Sequence, residues 1–480
     1  MSMGKLTMVA EAVHGHLVGE DRWFDSVSTD TRTLQPGDLF FALRGERFDA
    51  AKFIAEAARL GAAGAVVDGL REGSEEFDLP QIEVADTRDA LGKLARKWRA
   101  GFQLPVIGIT GSNGKTTVKE MIAGILRVEF DLDAAQESDQ GQRSGGASSV
   151  LVTEGNLNNE IGLPLTVLRL DARHRSAVLE MGAAKPKDIE YLADIAAPNV
   201  GVVTNAGAAH LEGFGNEETV AATKGEMFEA LAAGNVAVIN HDDQYASFWR
   251  ELAAPAQVYS FGLTNGAAFK ALDVRELDGD GCVGLSFSLQ GPFGAVDVVL
   301  PMAGQHNVMN ALAAAAAAHA AGACAESIRV GLANIRNVPG RLLAMAAVNG
   351  STVYDDSYNA NPVSVAAAID FLGDREGETW FVLGDMAELG PDSPALHRSI
   401  GERALRSGID RLFCFGEQAR EAAAAFGANA AIFDSIDALA VELRAESHAG
   451  VTILVKGSRC MRLDRLVAKL GAVEDERGSS

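Results

Sequence analysis

The residues best suited to chemistry lie in one short segment, Thr110-Gly-Ser-Asn-Gly-Lys-Thr-Thr117. Apolar residues before it predict a buried strand, and apolar residues at helical spacing from Val118 onward predict a helix. A glycine turn between a strand and a helix offers backbone N–H groups and a helix N-terminus to phosphate oxygens. Lys115 would reach the terminal phosphates, and the Thr116 hydroxyl would be available to Mg²⁺. The candidate phosphate-binding residues are Gly111, Ser112, Asn113, Gly114, Lys115, Thr116 and Thr117.

This loop is shorter than the common phosphate loop, G-x-x-x-x-G-K-S/T. Counting back from Gly114, Ile109 occupies the position of the first glycine, and the nearest glycines are Gly108 and Gly111. The alternative is a chance glycine turn before a helix. The agreement of the Gly-Lys-Thr-Thr run with the strand before it and the helix after it favours a nucleoside triphosphate site.

Polar side chains follow three other apolar strands, and these strands must position the site. Ser176–Glu180 ends in a carboxylate, Val200–Asn205 ends in Thr and Asn, and Val236–Asn240 ends in an amide. In parallel α/β sheets, ligands bind at the carboxyl ends of the strands. The alternation of strands with helical patterns predicts a doubly wound sheet around the glycine loop.

The chain of 480 residues is long enough for about three domains. We expect a small α/β domain over 1–103, a central P-loop ATPase-type doubly wound sheet over 104–337, and a Rossmann-like α/β domain over 338–480. Residues 131–150 lack an apolar period and predict a flexible loop. Residues 265–300 alternate in the manner of β-structure.

Composition excludes some classes of protein. The net charge of −23 argues against nucleic acid or an anionic membrane as the main partner. The alanine-rich stretch 311–321 is too short to span a bilayer, and no N-terminal leader is evident. We therefore expect a cytoplasmic protein without stable membrane insertion, and a monomer, because no coiled coil or long apolar seam is present. Four scattered cysteines predict reduced core thiols: Cys282, Cys324, Cys414 and Cys460.

Three further groups of residues could contribute to a site. A carboxylate and an imidazole at neighbouring strand ends, Glu180 and His210, could hold Mg²⁺, although His210 could equally be structural and Lys224 a solvated surface lysine. Asn307 and Asn310 lie three apart on one helix face, where paired amides could contact a purine, or one could cap the helix. The segment Tyr354–Pro362 could recognise a hydroxyl or ammonium group, or form an ordinary turn and cap.

Taken together, these motifs resemble those of the Mur ligases, the amide-forming enzymes of peptidoglycan precursor synthesis. Four motifs in family order, beside the glycine loop, are similar to the members that join D-alanyl-D-alanine to a UDP-N-acetylmuramoyl-tripeptide. They are Gly155–Gly162, Ala209–Gly215, Asp356–Pro362 and Leu383–Gly390. The Asp-Asn-Pro-Arg motif of the ligase that adds the third amino acid is absent.

The resemblance implies a role for each motif. Lys115 and its loop would hold the phosphates of ATP, while Asn307 and Asn310 would contact adenine. The third domain would contribute Arg341 and Asp356 to the γ-phosphate and the ribose. Mg²⁺ would be placed by Thr116, Glu180, His210 and Lys224, with Lys224 carbamylated, and the catalytic set would be Lys115, Glu180, His210 and Lys224.

The same resemblance assigns substrate contacts. The segment Ser28-Thr-Asp-Thr-Arg32 would hold the UDP-sugar through Ser28, Asp30 and Arg32. Further contacts would come from Asn156, Asn159, Asn359 and Asn361. Residues 131–150 differ in length from the family pattern, which bears on the contacts of Asn156 and Asn159.

The implied reaction has two steps. The peptide carboxylate attacks the γ-phosphate of ATP to give an acyl phosphate and ADP, and the dipeptide amine then displaces phosphate. The alternatives are another Mur-type or folylpolyglutamate-type ligase, and a P-loop switch or motor ATPase that needs no amine acceptor.

Overall fold

The computed structural model describes residues 2–45, 49–69, 78–137, 148–208, 211–279, 282–335, 339–347 and 349–471. Within these ranges, only the backbone is described for residues 132–137, 278, 279, 282 and 283. His210 and the polar tail from Glu474 onward lie outside the described residues.

The N-terminal part of the chain is a small α/β unit. Its elements are β1 (Gly4–Lys5), α1 (Leu6–Val13), β2 (His16–Val18), β3 (Trp23–Phe24), β4 (Ser26–Ser28), β5 (Asp38–Phe41), α2 (Ile54–Arg59), β6 (Gly64–Val67), β7 (Gln81–Glu83) and α3 (Thr87–Arg99). The larger sheet has the order β2-β7-β6-β5-β4, and β1 pairs with β3. Asp86 begins α3 by accepting hydrogen bonds from the backbone N–H groups of Arg88 and Asp89.

The central part of the chain carries the phosphate loop. Its elements are β8 (Val106–Thr110), α4 (Lys115–Glu137), β9 (Val150–Val152), α5 (Gly162–Val167), β10 (Ser176–Glu180), α6 (Asp188–Ala196), β11 (Val200–Val203), α7 (Leu211–Phe214), α8 (Glu217–Glu229), β12 (Val236–Asn240), α9 (Ala246–Leu252), β13 (Gln257–Gly262), β14 (Phe269–Gly279), β15 (Cys282–Gly291), β16 (Gly294–Leu300), α10 (Gln305–Ala320) and α11 (Ala325–Ala333). The described strands form one sheet in the order β16-β15-β14-β13-β12-β11-β8-β10-β9. The strands from β9 to β14 are parallel, and β15 and β16 are antiparallel to their neighbours.

Helices cover both faces of the central sheet. Alternate residues of β8 enter two different cores, because successive side chains of a strand point to opposite faces. Val106 packs with α5, α6 and α8, whereas Ile107 and Ile109 pack with α4, α10 and α11. The first of these cores continues into the N-terminal unit through α3. The fully buried β8 is therefore a rigid support for the loop that follows it.

The C-terminal part of the chain forms a third sheet. Its elements are β17 (Leu343–Ala346), β18 (Thr352–Asp356), α12 (Pro362–Gly373), β19 (Glu378–Gly384), α13 (Ser393–Arg406), β20 (Arg411–Phe415), α14 (Ala419–Phe426), β21 (Ala430–Phe433), α15 (Ile436–Glu446), β22 (Val451–Lys456) and α16 (Asp464–Leu470). The order is β17-β18-β22-β19-β20-β21, parallel except for β17. This is a Rossmann-like arrangement.

Most of the expected elements are present, and two expectations are wrong. Residues 131–137 belong to α4 rather than to a flexible loop, while 138–147 lie outside the described residues. Cys324 and Cys460 are exposed, and among the described cysteine side chains only Cys414 is a core thiol. The boundaries 1–103, 104–337 and 338–480 stay a prediction.

No helix in the described ranges is both long enough and apolar enough to cross a bilayer. The alanine-rich part of α10, residues 311–318, is instead buried against the central sheet. Small side chains let this helix lie close to the strands.

We expect Arg99 to be important for the packing of α3 against the central part. Arg99 is buried, and it donates hydrogen bonds to the carbonyls of Ala196, Ala197 and Phe102 at 2.9, 3.3 and 2.8 Å. Arg99→Met keeps the apolar stem but removes the donor from the buried Ala196 carbonyl and from two partly buried carbonyls, which should cost about 2–4 kcal/mol. Urea unfolding checks this result.

The control for this prediction is Arg96→Met on the same helix. Arg96 pairs with Asp194 at an exposed position, so its loss should cost less than about 1 kcal/mol. Equal effects of the two substitutions would contradict the role given to Arg99.

Candidate active site

The glycine loop leaves the carboxyl end of β8, a strand in the middle of the central sheet. Its neighbours β10 and β11 follow it in the chain but lie on opposite sides of it. The connections from these two strands therefore diverge, which opens a crevice at their carboxyl ends. The loop, the end of β10 and the segment after β11 all meet in this crevice.

Two positions of the loop can be occupied only by glycine. Gly111 has φ of +143°, and a Cβ there would lie 1.9 Å from the Thr204 hydroxyl oxygen. Gly114 has φ of +82°, and a Cβ there would lie 2.4 Å from Oδ1 of Asn310. Both the backbone conformation and the close neighbours therefore require glycine.

The segment after β11 holds the loop in place. The Asn205 side chain accepts from the Asn113 N–H at 2.9 Å and donates to the Asn113 carbonyl at 3.2 Å. The Thr204 hydroxyl donates to the same carbonyl at 2.5 Å. The Ser112 hydroxyl exchanges hydrogen bonds with the backbone of Gly207 at 3.1 Å. Sequence reasoning missed Thr204 and Asn205 as loop supports, although their place after an apolar strand was a usable signal.

Lys115 lies at the start of α4 and bends back over the loop. Its ammonium donates to the Gly111 carbonyl at 2.7 Å. Burial lowers the pKa of Lys115, with Glu180 acting against this shift and Arg341 adding to it. A partly desolvated cation at this point suits a phosphate ligand, because its field is poorly screened there.

Thr116 and Glu180 place two oxygen atoms side by side that could act as metal ligands. The Thr116 hydroxyl donates to Glu180 Oε2 at 3.0 Å, and the Asn158 amide donates to Oε1 at 2.8 Å. A hydroxyl beside a buried carboxylate fits Mg²⁺, which binds few protein ligands and takes the rest from water and phosphate. Within the described side chains, no group of three or more His, Cys, Asp or Glu residues could hold a metal.

Lys224 lies on α8 and is buried, with 2% of its surface exposed. Its ammonium lies 5.6 Å from the centre of the Phe214 ring, and it forms no ion pair with the described residues. Burial, reinforced by the nearby Lys115, lowers the pKa of Lys224 to about 7. The solvated surface lysine weighed from sequence is therefore wrong.

A cavity of about 230 Å³ lies between the loop and the C-terminal part of the chain. The predicted nucleotide residues that line it are Asn113, Gly114, Thr117, Asn307, Asn310, Arg341 and Asp356. Asn307 and Asn310 are hydrogen-bonded to each other at 3.0 Å, and the N-terminus of α10 has no side-chain cap. The capping interpretation of these amides is therefore wrong.

Charged residues of the C-terminal part face this cavity. Lys456 donates to Asp356 at 2.6 Å and to the Asn359 carbonyl at 3.1 Å. The Arg341 guanidinium lies 4.2 Å from the centre of the Tyr358 ring, and its buried Nε has no partner among the described residues. The cavity therefore combines amides, a carboxylate and cations near the loop.

The predicted substrate residues are more dispersed. Asn156 and Asn359 are exposed, and Asn159 accepts from backbone N–H groups at the start of α5. Its neighbour Asn158, which the sequence analysis did not select, contacts Glu180 instead. Asn361 caps α12, as the alternative interpretation held.

In the N-terminal unit, the three predicted UDP-sugar residues contact one another. The Arg32 side chain binds Asp30, and this contact lowers the pKa of Asp30 to about 2. Ser28 accepts from the Asp30 N–H at 3.2 Å. A separate cavity of about 340 Å³ is lined by Arg44, Gly45, Asp68 and residues 85–88.

The fold and the phosphate loop are those of a nucleotide-binding α/β protein, and one cavity is lined by both its central and its C-terminal parts. Three family models match the chain: "Mur ligase family, catalytic domain" over 24–99, "Mur ligase middle domain" over 109–318, and "Mur ligase, glutamate ligase domain" over 340–459. The chain belongs to the Mur ligase family.

Similar proteins and solved structures carry the name of one member of this family. The chain is 39% identical to the UDP-N-acetylmuramoyl-tripeptide–D-alanyl-D-alanine ligase of Escherichia coli, over 97% of this chain and 98% of that one. A crystal structure of MurF from Acinetobacter baumannii has a TM-score of 0.86 at 32% identity, covering 98% of this chain and 99% of that one. MurF ligase from Thermotoga maritima in complex with ADP has a TM-score of 0.79 at 29% identity, covering 92% and 96%.

We expect Gly114→Ala to impair nucleotide binding. The added methyl group would meet Asn310, and the left-handed backbone would be strained, so the loop and the paired amides must separate. The Kd for ADP, measured by calorimetry, should rise by at least about tenfold.

Gly124→Ala, in the helix α4 that follows the loop, is the matched control. A Cβ there would lie 3.6 Å from the Gly331 carbonyl, an ordinary contact. This variant should bind ADP as the parent does, and unchanged binding by Gly114→Ala would contradict the described loop geometry.

Proposed function

We propose that this chain joins D-alanyl-D-alanine to UDP-N-acetylmuramoyl-tripeptide, with ATP converted to ADP and phosphate, in peptidoglycan precursor synthesis. The observation that carries the proposal is the crevice in which the phosphate loop, the amides of α10 and the cations of the C-terminal part line one cavity. The full-length similarity to ligases of this name supports it. This similarity also disfavours a P-loop switch or motor ATPase.

In the proposed reaction, the peptide carboxylate attacks the γ-phosphorus of ATP, and the bond to ADP breaks. The dipeptide amine then attacks the carbonyl carbon of the acyl phosphate, and phosphate leaves. Lys115 and the N–H groups of the loop would hold the transferring phosphoryl group, and Arg341 would add positive charge from the C-terminal part. The cavity walls would exclude water that would otherwise hydrolyse the acyl phosphate.

We also propose that Thr116 and Glu180 hold Mg²⁺, together with His210. When bound, Mg²⁺ would neutralise charge on the phosphates. Glu180 Oε1 accepts from Asn158, whereas Oε2 accepts from the Thr116 hydroxyl and so lies beside the second proposed ligand. An ammonium on Lys224 would repel the metal, whereas a carbamate formed from its neutral amine and CO₂ would attract it.

The N-terminal unit has a second cavity that could take part in substrate recognition. A UDP-sugar carries a diphosphate, and this cavity contains Arg88 as well as Arg44, which is paired with Asp68. The Nε of Arg88 is buried and has no partner among the described residues. We propose that Ser28, Asp30 and Arg32 act with this cavity in holding the UDP part, and that Asn156, Asn159 and Asn359 contact the peptide substrates.

The remaining proposals concern the setting of the reaction. ATP and a UDP-linked precursor are cytoplasmic metabolites, which supports a cytoplasmic location. A monomer suffices for the nucleotide cavity, since residues of one chain line it.

The proposed activity predicts that phosphate release needs all three substrates. We expect release with ATP, the UDP-muramoyl-tripeptide and D-alanyl-D-alanine, and almost none when either peptide substrate is omitted. A coupled phosphate assay measures this directly. Release that is independent of both peptide substrates would indicate a plain ATPase and overturn the proposal.

Hydroxylamine provides a second measurement. It should capture the activated carboxyl group as a hydroxamate when the tripeptide and ATP are present without the dipeptide. A folylpolyglutamate-type ligase would instead accept a folate substrate and leave the UDP-tripeptide unchanged.

Carbamylation of Lys224 should depend on pH. Only the neutral amine reacts with CO₂, so a pKa of about 7 places the amine mostly charged at pH 6 and mostly neutral at pH 8. At constant CO₂, a ¹³C carbamate resonance should therefore increase from pH 6 to pH 8. Lys224→Gln should lack this resonance, and its absence from the parent protein at pH 8 would refute carbamylation.

A further inference from the structure

Asn361 contacts both its own helix and the phosphate loop. Its Oδ1 accepts from the Ser364 N–H at 2.9 Å, and this bond caps α12. Its Nδ2 donates to Oδ1 of Asn113 at 2.8 Å, although the two residues lie 248 positions apart. Because the cap occupies the oxygen of Asn361, only its N–H groups can face the loop.

The other end of the Asn113 amide is unpaired. Asn113 lines the cavity, and its Nδ2 is buried without a hydrogen-bond partner in the described part of the chain. A buried donor without an acceptor costs about 1–3 kcal/mol. The proposed ligand of the phosphate loop, to which Asn113 belongs, is rich in acceptor oxygens, so a nucleotide phosphate would satisfy this N–H.

We propose that Asn361 is a positioning residue for ATP binding: it fixes the Asn113 amide with its N–H donors toward the phosphates. The hydrogen bonds run in one direction, from the Ser364 N–H to Asn361, from Asn361 to Asn113, and from Asn113 to a phosphate oxygen. If the Asn113 amide rotated by 180°, its oxygen would face the phosphates and repel them. The bond from Asn361 excludes that orientation.

This inference rests on the proposed binding of ATP at the loop, and it gives Asn361 a role different from dipeptide contact. It also links the two parts of the chain. The phosphate loop has its full set of oriented donors only when α12 of the C-terminal part lies against it. Cooperative hydrogen-bond chains of this kind are stronger than isolated bonds.

The test is a double-mutant cycle with Asn361→Ser and Asn113→Ala. Serine remains a good helix cap but is too short to reach Asn113. Each single variant should raise the Kd for ADP and the KM for ATP by about tenfold. The double variant should bind no more weakly than Asn113→Ala, because Asn361 acts through Asn113.

The control is Ser435→Ala, which removes the cap of α15 in the same part of the chain. Its Tm should fall while its Kd for ADP stays unchanged, so loss of stability alone does not account for weaker binding. The KM for D-alanyl-D-alanine should stay unchanged in Asn361→Ser.

Three results would overturn the inference. They are an unchanged Kd for ADP in Asn361→Ser, effects that multiply in the double variant, and a raised dipeptide KM with an unchanged ATP KM. If the parent protein failed to bind ADP, the proposed function would fall as well. If the parent protein binds ADP but any of the three results is obtained, the inference fails while the proposed function stands.

Discussion

The packing of the phosphate loop against the segment after β11 is the constraint on which the rest of the site depends. Residue 111 must be glycine because the Thr204 hydroxyl occupies the space that a Cβ would need. The Asn205 side chain forms hydrogen bonds with both the N–H and the carbonyl of Asn113. Movement of either side alone would break these hydrogen bonds. The fixed loop then determines where Lys115 and Thr116 begin α4, and so where a phosphate and a metal ion would lie.

The site concentrates positive charge in a strongly acidic protein. With a net charge of −23, long-range attraction does not bring an anionic nucleotide to the crevice. Short-range groups must therefore bind the nucleotide. Burial strengthens the attraction of each cation for phosphate, but it also disfavours the charged form of a lysine. The ion pair with Asp356 offsets the desolvation of Lys456, whereas the desolvation of Lys224 lowers its pKa. Burial thus has different consequences for these two lysines.

Local sequence patterns were sufficient to predict features that lie within one secondary-structure element or one turn. The strand Val106–Thr110, the glycine turn and the start of α4 were predicted because their pattern needs no distant partner. The prediction failed for 131–137, since polar residues at the end of a long helix have no apolar period although they continue its hydrogen bonds. Asn158 was not selected for a related reason: three asparagines within the four positions 156–159 look alike until the fold turns one of them toward Glu180.

The sequence by itself determined the α/β class, the phosphate loop and the family, because glycine positions, strand periodicity and short motifs act over a few residues. Only the tertiary structure decided which residues meet across the chain. It brought Asn361 to Asn113, set Arg341 and Asp356 around the same cavity as Asn310, and buried Lys224 away from carboxylate partners among the described residues. These contacts depend on how whole sheets and helices pack, and a side chain's pattern in the sequence carries no record of a neighbour hundreds of positions away.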